Sequence, residues 1–383
     1  MDFHLPEELA EVQKLARVFA AKEIAPHAAR DDKEHIFRKD LVTKMGALGF
    51  FGCTIPEEYG GNGLGFLAHA LISEEIARVH SAIRFYLCMQ AGPAVTLLEF
   101  GNEEQKRRHI PGLLRGDACG CFAITEPGAG SDVAAMRASA ARSHDGYVLN
   151  GTKIWITNAP VADAGVVFAY TDPLQKHQGI SAFYVDLHRP GVSRRQLDKL
   201  GVHASPTGEL VFENFFIPQD CLIGQEGDGF KILMRHLNHT RLSAAAAAVG
   251  LARAAREAAV SYTDQREQFG QKIGQFQMNQ DLIAQMMVQE EASRLLVYRA
   301  ASLADRGRPY NLEISIAKCA AAEAAAFSAD AALKIFGAYG YSTEFPVERY
   351  YRDAKACQLV EGSMNIQKLI IAQDALGYRK ANR

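Results

Sequence analysis

YVLNGTKIWIT, residues 147–157, reads as strand throughout, because β-branched and aromatic residues dominate it. Its Asn150-Gly151 pair is a two-residue hairpin signal, so the expectation is two short strands, YVLNG and TKIWIT, folded back on each other. Working outward, AGVVFAY (164–170), ISAFYVDL (180–187) and ELVFENFFIP (209–218) have the same character. The turn-formers RPGV (189–192) and SPTG (205–208) separate them. Residues 119–227 are therefore predicted to form a β domain, a barrel-like one.

Both flanks are helical. Pro6, Glu7 and Glu8 start a helix whose apolar stripe is Leu9, Val12, Leu15, Ala16 and Phe19, and similar periodicity covers 38–49, 66–79 and 90–115. The loop IPEEYGGNGLG (55–65) follows no strand, so its glycines read as a turn and not as a dinucleotide site. After Gly227 the helices lengthen to 228–266, 276–306, 310–336 and 364–376, with breaks at Gly270, Gly274, Gly307, Pro309 and Gly340. Four long helices predict a bundle, and the run of alanines at 244–248 suits close helix packing. The fold class is thus mostly α with an inserted β domain: N-terminal helical domain 1–118, middle β domain 119–227, C-terminal four-helix bundle 228–383.

Composition narrows the function. With 48% hydrophobic and 22% charged residues the chain is an ordinary globular protein. The 42 basic and 44 acidic residues are spread along it, leaving no footprint for nucleic acid or an anionic membrane surface. The amino terminus lacks a basic region followed by an apolar core, and no apolar run is long enough to span a bilayer, so the reading is cytoplasmic. Seven widely spaced cysteines without a C-x-x-C pair read as reduced core thiols.

Chemistry concentrates in two places. QLVEGSMNIQKLIIAQDALG (358–377) puts Glu361 two residues before Ser363, a good helix N-cap, with Ile366, Leu369 and Ile370 as the helix stripe and Gly377 as its stop. The helix N-terminus favours the carboxylate while burial beside Leu359 and Val360 opposes it, which is how a general base is tuned. CFAITEPGAGSD (121–132) brings Thr125, Glu126, Gly128, Gly130, Ser131 and Asp132 together in a loop that lets backbone approach a flat or phosphorylated ligand. His236 and His239 stand three apart on a helix, but no third ligand accompanies them, so no metal is expected.

CFAITEPGAGSD, NGTKIWITN (150–158), RxxFG (266–270), KIFGAYGYSTEFPVERYYRDAK (334–355) and LVEGS (359–363) form an ordered set. With it the chain resembles the acyl-CoA dehydrogenase family over essentially its whole length. The resemblance implies FAD as cofactor, an acyl-CoA thioester as substrate, an electron transfer flavoprotein as acceptor and a homotetramer. It casts Glu361 as the base that removes the α-proton. It places Phe122, Ile124, Thr125, Gly130, Ser131, Trp155 and Thr157 around the flavin, and Ser363 and Asn365 over it. Arg266, Gln268, Phe269, Phe276 and Gln277 would meet the adenosine diphosphate part, and Gly337, Ala338, Tyr339, Gly340 and Tyr341 the pyrophosphate of FAD in a neighbouring subunit. Ser131, Asn238, Thr240 and Arg241 become contacts to CoA or to the loop of Glu361, with Val360 and Gly362 beside the substrate.

Arg84, between Ile83 and Phe85, is costly to bury without a carboxylate, whether that of a substrate or of a nearby acid such as Glu75. A similar RV-x-S-x-x-R run in the glutaryl-CoA branch binds the distal carboxylate of the substrate. Decarboxylating members of that branch have a tyrosine where Val360 stands and an acid where Ala77 stands. The chain therefore looks most similar to the non-decarboxylating members, and LNHTRLSAAAA, SPTGEL and the terminal LGYRKANR also resemble them. The bulk of Phe85 and Tyr86 keeps a cyclic acyl group, cyclohexane- or cyclohexene-carboxyl, as the alternative. A reductase running in reverse shares the motifs, a longer oxidase fits less well, and a non-catalytic binding protein would be expected to lack Glu361.

Overall fold

A computed structural model describes residues 4–378; residues 1–3 and 379–383, which complete LGYRKANR, lie outside the described part. The chain opens with six helices, α1 (Glu7–Phe19), α2 (Ala28–Lys33), α3 (Lys39–Ala47), α4 (Gly65–Val79), α5 (Arg84–Phe100) and α6 (Glu103–Arg115). The single helix expected over 90–115 is two. Asn102 breaks it, accepting at its side chain from Gln105 N–H while the Gln105 side chain accepts from Asn102 N–H, a capping box that starts α6.

Eight strands follow: β1 (Gly120–Ala123), β2 (Ser139–Ser143), β3 (Gly146–Thr157), β4 (Ala164–Tyr170), β5 (Ile180–Asp186), β6 (Val192–Gln196), β7 (Thr207–Pro218) and β8 (Leu222–Ile223). They make one sheet in the order β6-β7-β3-β2-β4-β5-β8, with β1 parallel to β4. The hairpin expected at Asn150-Gly151 is absent, and β3 runs straight through it. The tight turn lies earlier, where Ser143 pairs with Gly146. Asn150-Gly151 marks instead a register shift against β7, where the Asn150 side chain accepts from Asn214 N–H. Gly151 is required there by φ of +145° and because a Cβ would stand 2.7 Å from Ala138 Cα.

The C-terminal part comprises α7 (Gly229–Gln265), a short hairpin β9 (Glu267–Gln268) and β10 (Gln271–Lys272), α8 (Gln277–Asp305), α9 (Asn311–Phe336), α10 (Val347–Leu359) and α11 (Met364–Ala375). α10 was not among the helices expected. α9 sits at the centre, packed against α7, α8, α10 and α11. Ala244, Ala245, Ala246, Ala247 and Ala248 are buried, and Gly250 lets α4 cross α7 closely, since a Cβ there would meet Glu74 O at 2.2 Å. α5 packs on both α7 and β1, so helical and β parts converge around the amino-terminal half of α7. Among the described residues no helix is long and apolar enough to cross a membrane.

Candidate active site

α10 ends at Leu359, and the chain turns through Val360, Glu361, Gly362 and Ser363 before α11 begins. Glu361 and Gly362 both have positive φ, +58° and +87°. For glutamate that conformation is costly and must be imposed by its surroundings. Three side chains impose it. The Lys318 ammonium, from α9, donates to both Val360 O and Gly362 O, Arg241 Nε donates to Glu361 O at 3.4 Å, and Gln367 Nε2 donates to Gly362 O at 3.2 Å. Ser363 occupies the N-cap position of α11, but its hydroxyl makes no capping bond.

The Glu361 carboxylate is held by Arg84, whose Nη1 lies 2.8 Å from Glu361 Oε1. Arg84 is 2% exposed, lies over the Phe85 ring at 3.7 Å and donates to Cys88 Sγ at 3.4 Å. Burial works against its charge and the Glu361 carboxylate outweighs burial, so its pKa is raised. Glu75, the acid considered for Arg84 from the sequence, is instead engaged by Arg17 and Arg253. Glu361 Oε2 is buried without a hydrogen-bond partner among the described residues. Arg241 is pushed down to about 10 by burial, and it also donates to Asn238 Oδ1 at 3.0 Å; Asn238 in turn bonds Asn311. Thr240 folds its hydroxyl back toward Leu237 O. Arg84, Asn238, Arg241, Val360, Glu361 and Gly362 are thus one cluster.

The loop at 121–132 is anchored by a second lysine that sequence reasoning passed over. Lys153, fully buried on β3, donates to Glu126 Oε1 at 2.7 Å and Ile124 O at 3.1 Å. Glu126 also accepts from Arg137 N–H and Ala138 N–H, and Thr125 O accepts from Ile154 N–H. Between Lys153 and Ile156 the register against β7 shifts, and Trp155, at φ +60°, turns outward to 56% exposure. The lone tryptophan is therefore an exposed ring on a strand and not core. Thr125, Ile124 and Thr157 are half-buried, Gly130 and Ser131 are exposed, and a Cβ at Gly128 or Gly130 would meet nothing. The Phe122 ring, by contrast, is buried, stacked on His236 at 3.3 Å and packed against Phe168. His236 is pushed down to about 3 by burial and contacts Thr96 Oγ1, so its ring is a neutral packing element. Through Phe122 and His236 this loop abuts the helix that carries Arg241.

The remaining predicted residues lie elsewhere. Arg266 is 25 residues beyond Arg241, about 37 Å at 1.5 Å per helical residue. There Arg266 lies 5.5 Å from the Tyr339 ring, beside Tyr262, Gln265 and Phe345, and Phe269 packs edge-on to Phe276. Gln268, Gln277, Gly337, Ala338 and Tyr341 are exposed around it, and Gly340 is buried. Asn365 is exposed on the first turn of α11. The predicted residues therefore make two groups, one beside the amino-terminal half of α7 and one at its carboxyl end.

Residues 6–117, 121–215 and 227–376 match, respectively, the acyl-CoA dehydrogenase N-terminal, middle and C-terminal domains. The chain is 51% identical to the glutaryl-CoA dehydrogenase of Desulfococcus multivorans, over 100% of both chains. It superposes at a TM-score of 0.98 on a glutaryl-coenzyme A dehydrogenase solved with glutaryl-CoA, at 50% identity, covering 100% of this chain and 98% of that one. A solved chain described as an electron transferring flavoprotein of Acidaminococcus fermentans matches at a TM-score of 0.96 and 42% identity, covering 98% and 100%.

Proposed function

Because the chain belongs to the acyl-CoA dehydrogenase family, an FAD-dependent family of oxidoreductases, we propose that it converts glutaryl-CoA to glutaconyl-CoA without decarboxylation. The observation that carries this reading is the 2.8 Å pairing of Arg84 with Glu361. A buried guanidinium needs an anion, and here the anion is the base itself. A substrate with a distal carboxylate supplies Arg84 with a replacement and releases Glu361 Oε1 to take the α-proton. A monocarboxylic chain offers no such exchange.

The α-proton of a thioester is too weakly acidic for a free carboxylate, so the charge developing on the thioester oxygen has to be met by donors. Glu361 N–H donates no hydrogen bond among the described residues, which leaves it for that oxygen. FAD, when bound, accepts the β-hydrogen as hydride. The exposed Trp155 ring, Thr125, Gly130, Ser131 and Thr157 fit its flat ring system, with Ile124 and the backbone of Phe122 behind them and Ser363 and Asn365 at the base loop. Arg266, Gln268, Phe269, Phe276 and Gln277 would hold its adenosine end in a neighbouring subunit, together with residues 337–341. Their distance from Arg241 along α7 supports that division, and so do the exposed apolar residues Met278, Val288, Leu295, Phe269 and Tyr341, which suit a homotetramer. An electron transfer flavoprotein is the acceptor that this reading takes.

Two further observations favour the linear dicarboxylic substrate over a cyclic one. Phe85 is 6% exposed beneath the Arg84 guanidinium, and the Tyr86 hydroxyl points away to Arg38 N and Ala204 O. Their bulk is spent on packing. Val360, with no hydroxyl, offers no proton to the dienolate that loss of carbon dioxide would create. The test is mass analysis of the thioester formed when flavin-loaded protein meets glutaryl-CoA anaerobically with an artificial acceptor. Glutaconyl-CoA is expected. Crotonyl-CoA would overturn the non-decarboxylating reading, and unchanged glutaryl-CoA would overturn the substrate.

A further inference from the structure

Lys318 is 1% exposed, yet it has no carboxylate within ion-pair distance among the described residues. Its hydrogen-bond acceptors there are two carbonyls, Val360 O and Gly362 O, which flank Glu361. The carbonyl between them, Glu361 O, is taken by Arg241. Three successive carbonyls of the base loop thus face two buried cations. Burial pushes Lys318 down to about 8, against the pull of Glu361, so the loop is arranged at the cost of keeping an ammonium in the interior.

In a trans peptide the C=O and N–H of one unit point in opposite directions. Drawing Val360 O toward Lys318 on α9 therefore turns Glu361 N–H away from α9, and drawing Glu361 O toward Arg241 turns Gly362 N–H away from α7. This also accounts for two successive positive φ values in a loop where one residue is a glutamate. No side chain in front of the loop does this: the Ser363 hydroxyl makes no cap, and the Glu361 carboxylate is occupied by Arg84.

We infer that Lys318 is a positioning residue for the reaction: by holding the carbonyls on either side of Glu361 it aims Glu361 N–H at the thioester oxygen. It touches neither substrate nor cofactor. The inference rests on the dehydrogenase reading of the site, in which that N–H receives the substrate carbonyl.

The test compares two ligands on oxidised holoenzyme by calorimetric titration: glutaconyl-CoA, and the thioether with CH₂ in place of its thioester carbonyl. Neither can be dehydrogenated. The wild-type protein is expected to bind the thioester about tenfold more tightly, the value of one well-placed hydrogen bond. Lys318→Met should bring the two affinities to within about twofold while leaving thioether binding and flavin content unchanged. Lys318→Gln, which removes the charge but keeps a polar group in the same space, should lose most of the preference and serves if the methionine variant fails to fold. A wild-type protein that binds both ligands alike overturns the site reading and this inference together. A wild-type preference that persists in either variant, or an equal loss of both affinities, overturns the role of Lys318 alone.

Discussion

The loop at 121–132 and the loop at 360–363 are each held from behind by a buried lysine, but the two lysines are neutralised differently. Lys153 meets Glu126, whose carboxylate also accepts two backbone N–H groups, so charge and lone pairs are satisfied within one anchor. Lys318 meets only carbonyls, and the opposing charge that acts on it most strongly is that of Glu361 itself. The first arrangement can stiffen the loop proposed to face the flavin, with little influence beyond it. The second couples a scaffold charge to the reacting group, so that what holds the base also belongs to its electrostatic surroundings. The difference teaches that a buried lysine's role is read from its acceptors, not from its burial.

Glu361→Gln is the change expected to have the largest effect on turnover, because it leaves the carbonyl clamp intact and removes the proposed base together with the anion of Arg84. Dehydrogenation should fall by about a thousandfold or more with FAD content near wild type, while the melting temperature falls because the buried Arg84 loses its anion. Substantial turnover in this variant would move the chemistry away from the clamped loop. Lys153→Met should be the more damaging of the two lysine changes to the fold: it strands Glu126 in the interior and should cost about 3–5 kcal/mol in urea unfolding. Lys153→Met with Glu126→Gln should recover part of that loss. If Lys318→Met destabilised the protein more than Lys153→Met, the distinction between anchor and active-site scaffold would collapse. Arg84→Ala comes next, with kcat/KM for glutaryl-CoA falling about 10- to 100-fold further than for butyryl-CoA, as expected for a charge-assisted contact. Equal losses for both thioesters would mean that Arg84 serves only to hold Glu361.

The helical, β and helical order was legible from periodicity and residue type alone, and the family motifs named Glu361, Asn238 and Arg241, which the structure brings together. What failed was local. Asn150-Gly151 carries a true glycine requirement, but the requirement comes from Ala138, just before β2, which no local pattern reveals. The Arg84–Glu361 pair spans 277 positions, so the partner of a recognised residue was hidden by distance along the chain. Glu126 and Lys153 both stood inside quoted motifs, 27 positions apart, and could have been paired as a charge at an inward strand position answered by an acid. Lys318 gave almost no signal. A lysine in the alanine-rich α9 ordinarily extends to solvent, as Lys334 does, and the packing of α10 and α11 around that helix closes Lys318 in.

Titration offers the finest test of the contrast. Burial pushes both Lys153 and Lys318 down to about 8, below the value of about 10.4 for lysine in an unfolded chain. Between those values the unfolded chain holds protons that the folded one lacks, so unfolding takes up protons and these two groups make stability rise with pH across that window. Below pH 8 both states are protonated and the dependence disappears. Each methionine variant should therefore take up close to one proton fewer than wild type on unfolding at pH 9, as measured from unfolding enthalpies in buffers of different ionisation heat. The two lysines should part company in ligand binding. The wild-type preference for thioester over thioether should weaken as pH rises through about 8, Lys153→Met should preserve that pH dependence, and Lys318→Met should abolish it. If the profile followed Lys153 instead, the charge that matters to the base would lie behind the flavin loop, and the comparison would have to be reversed.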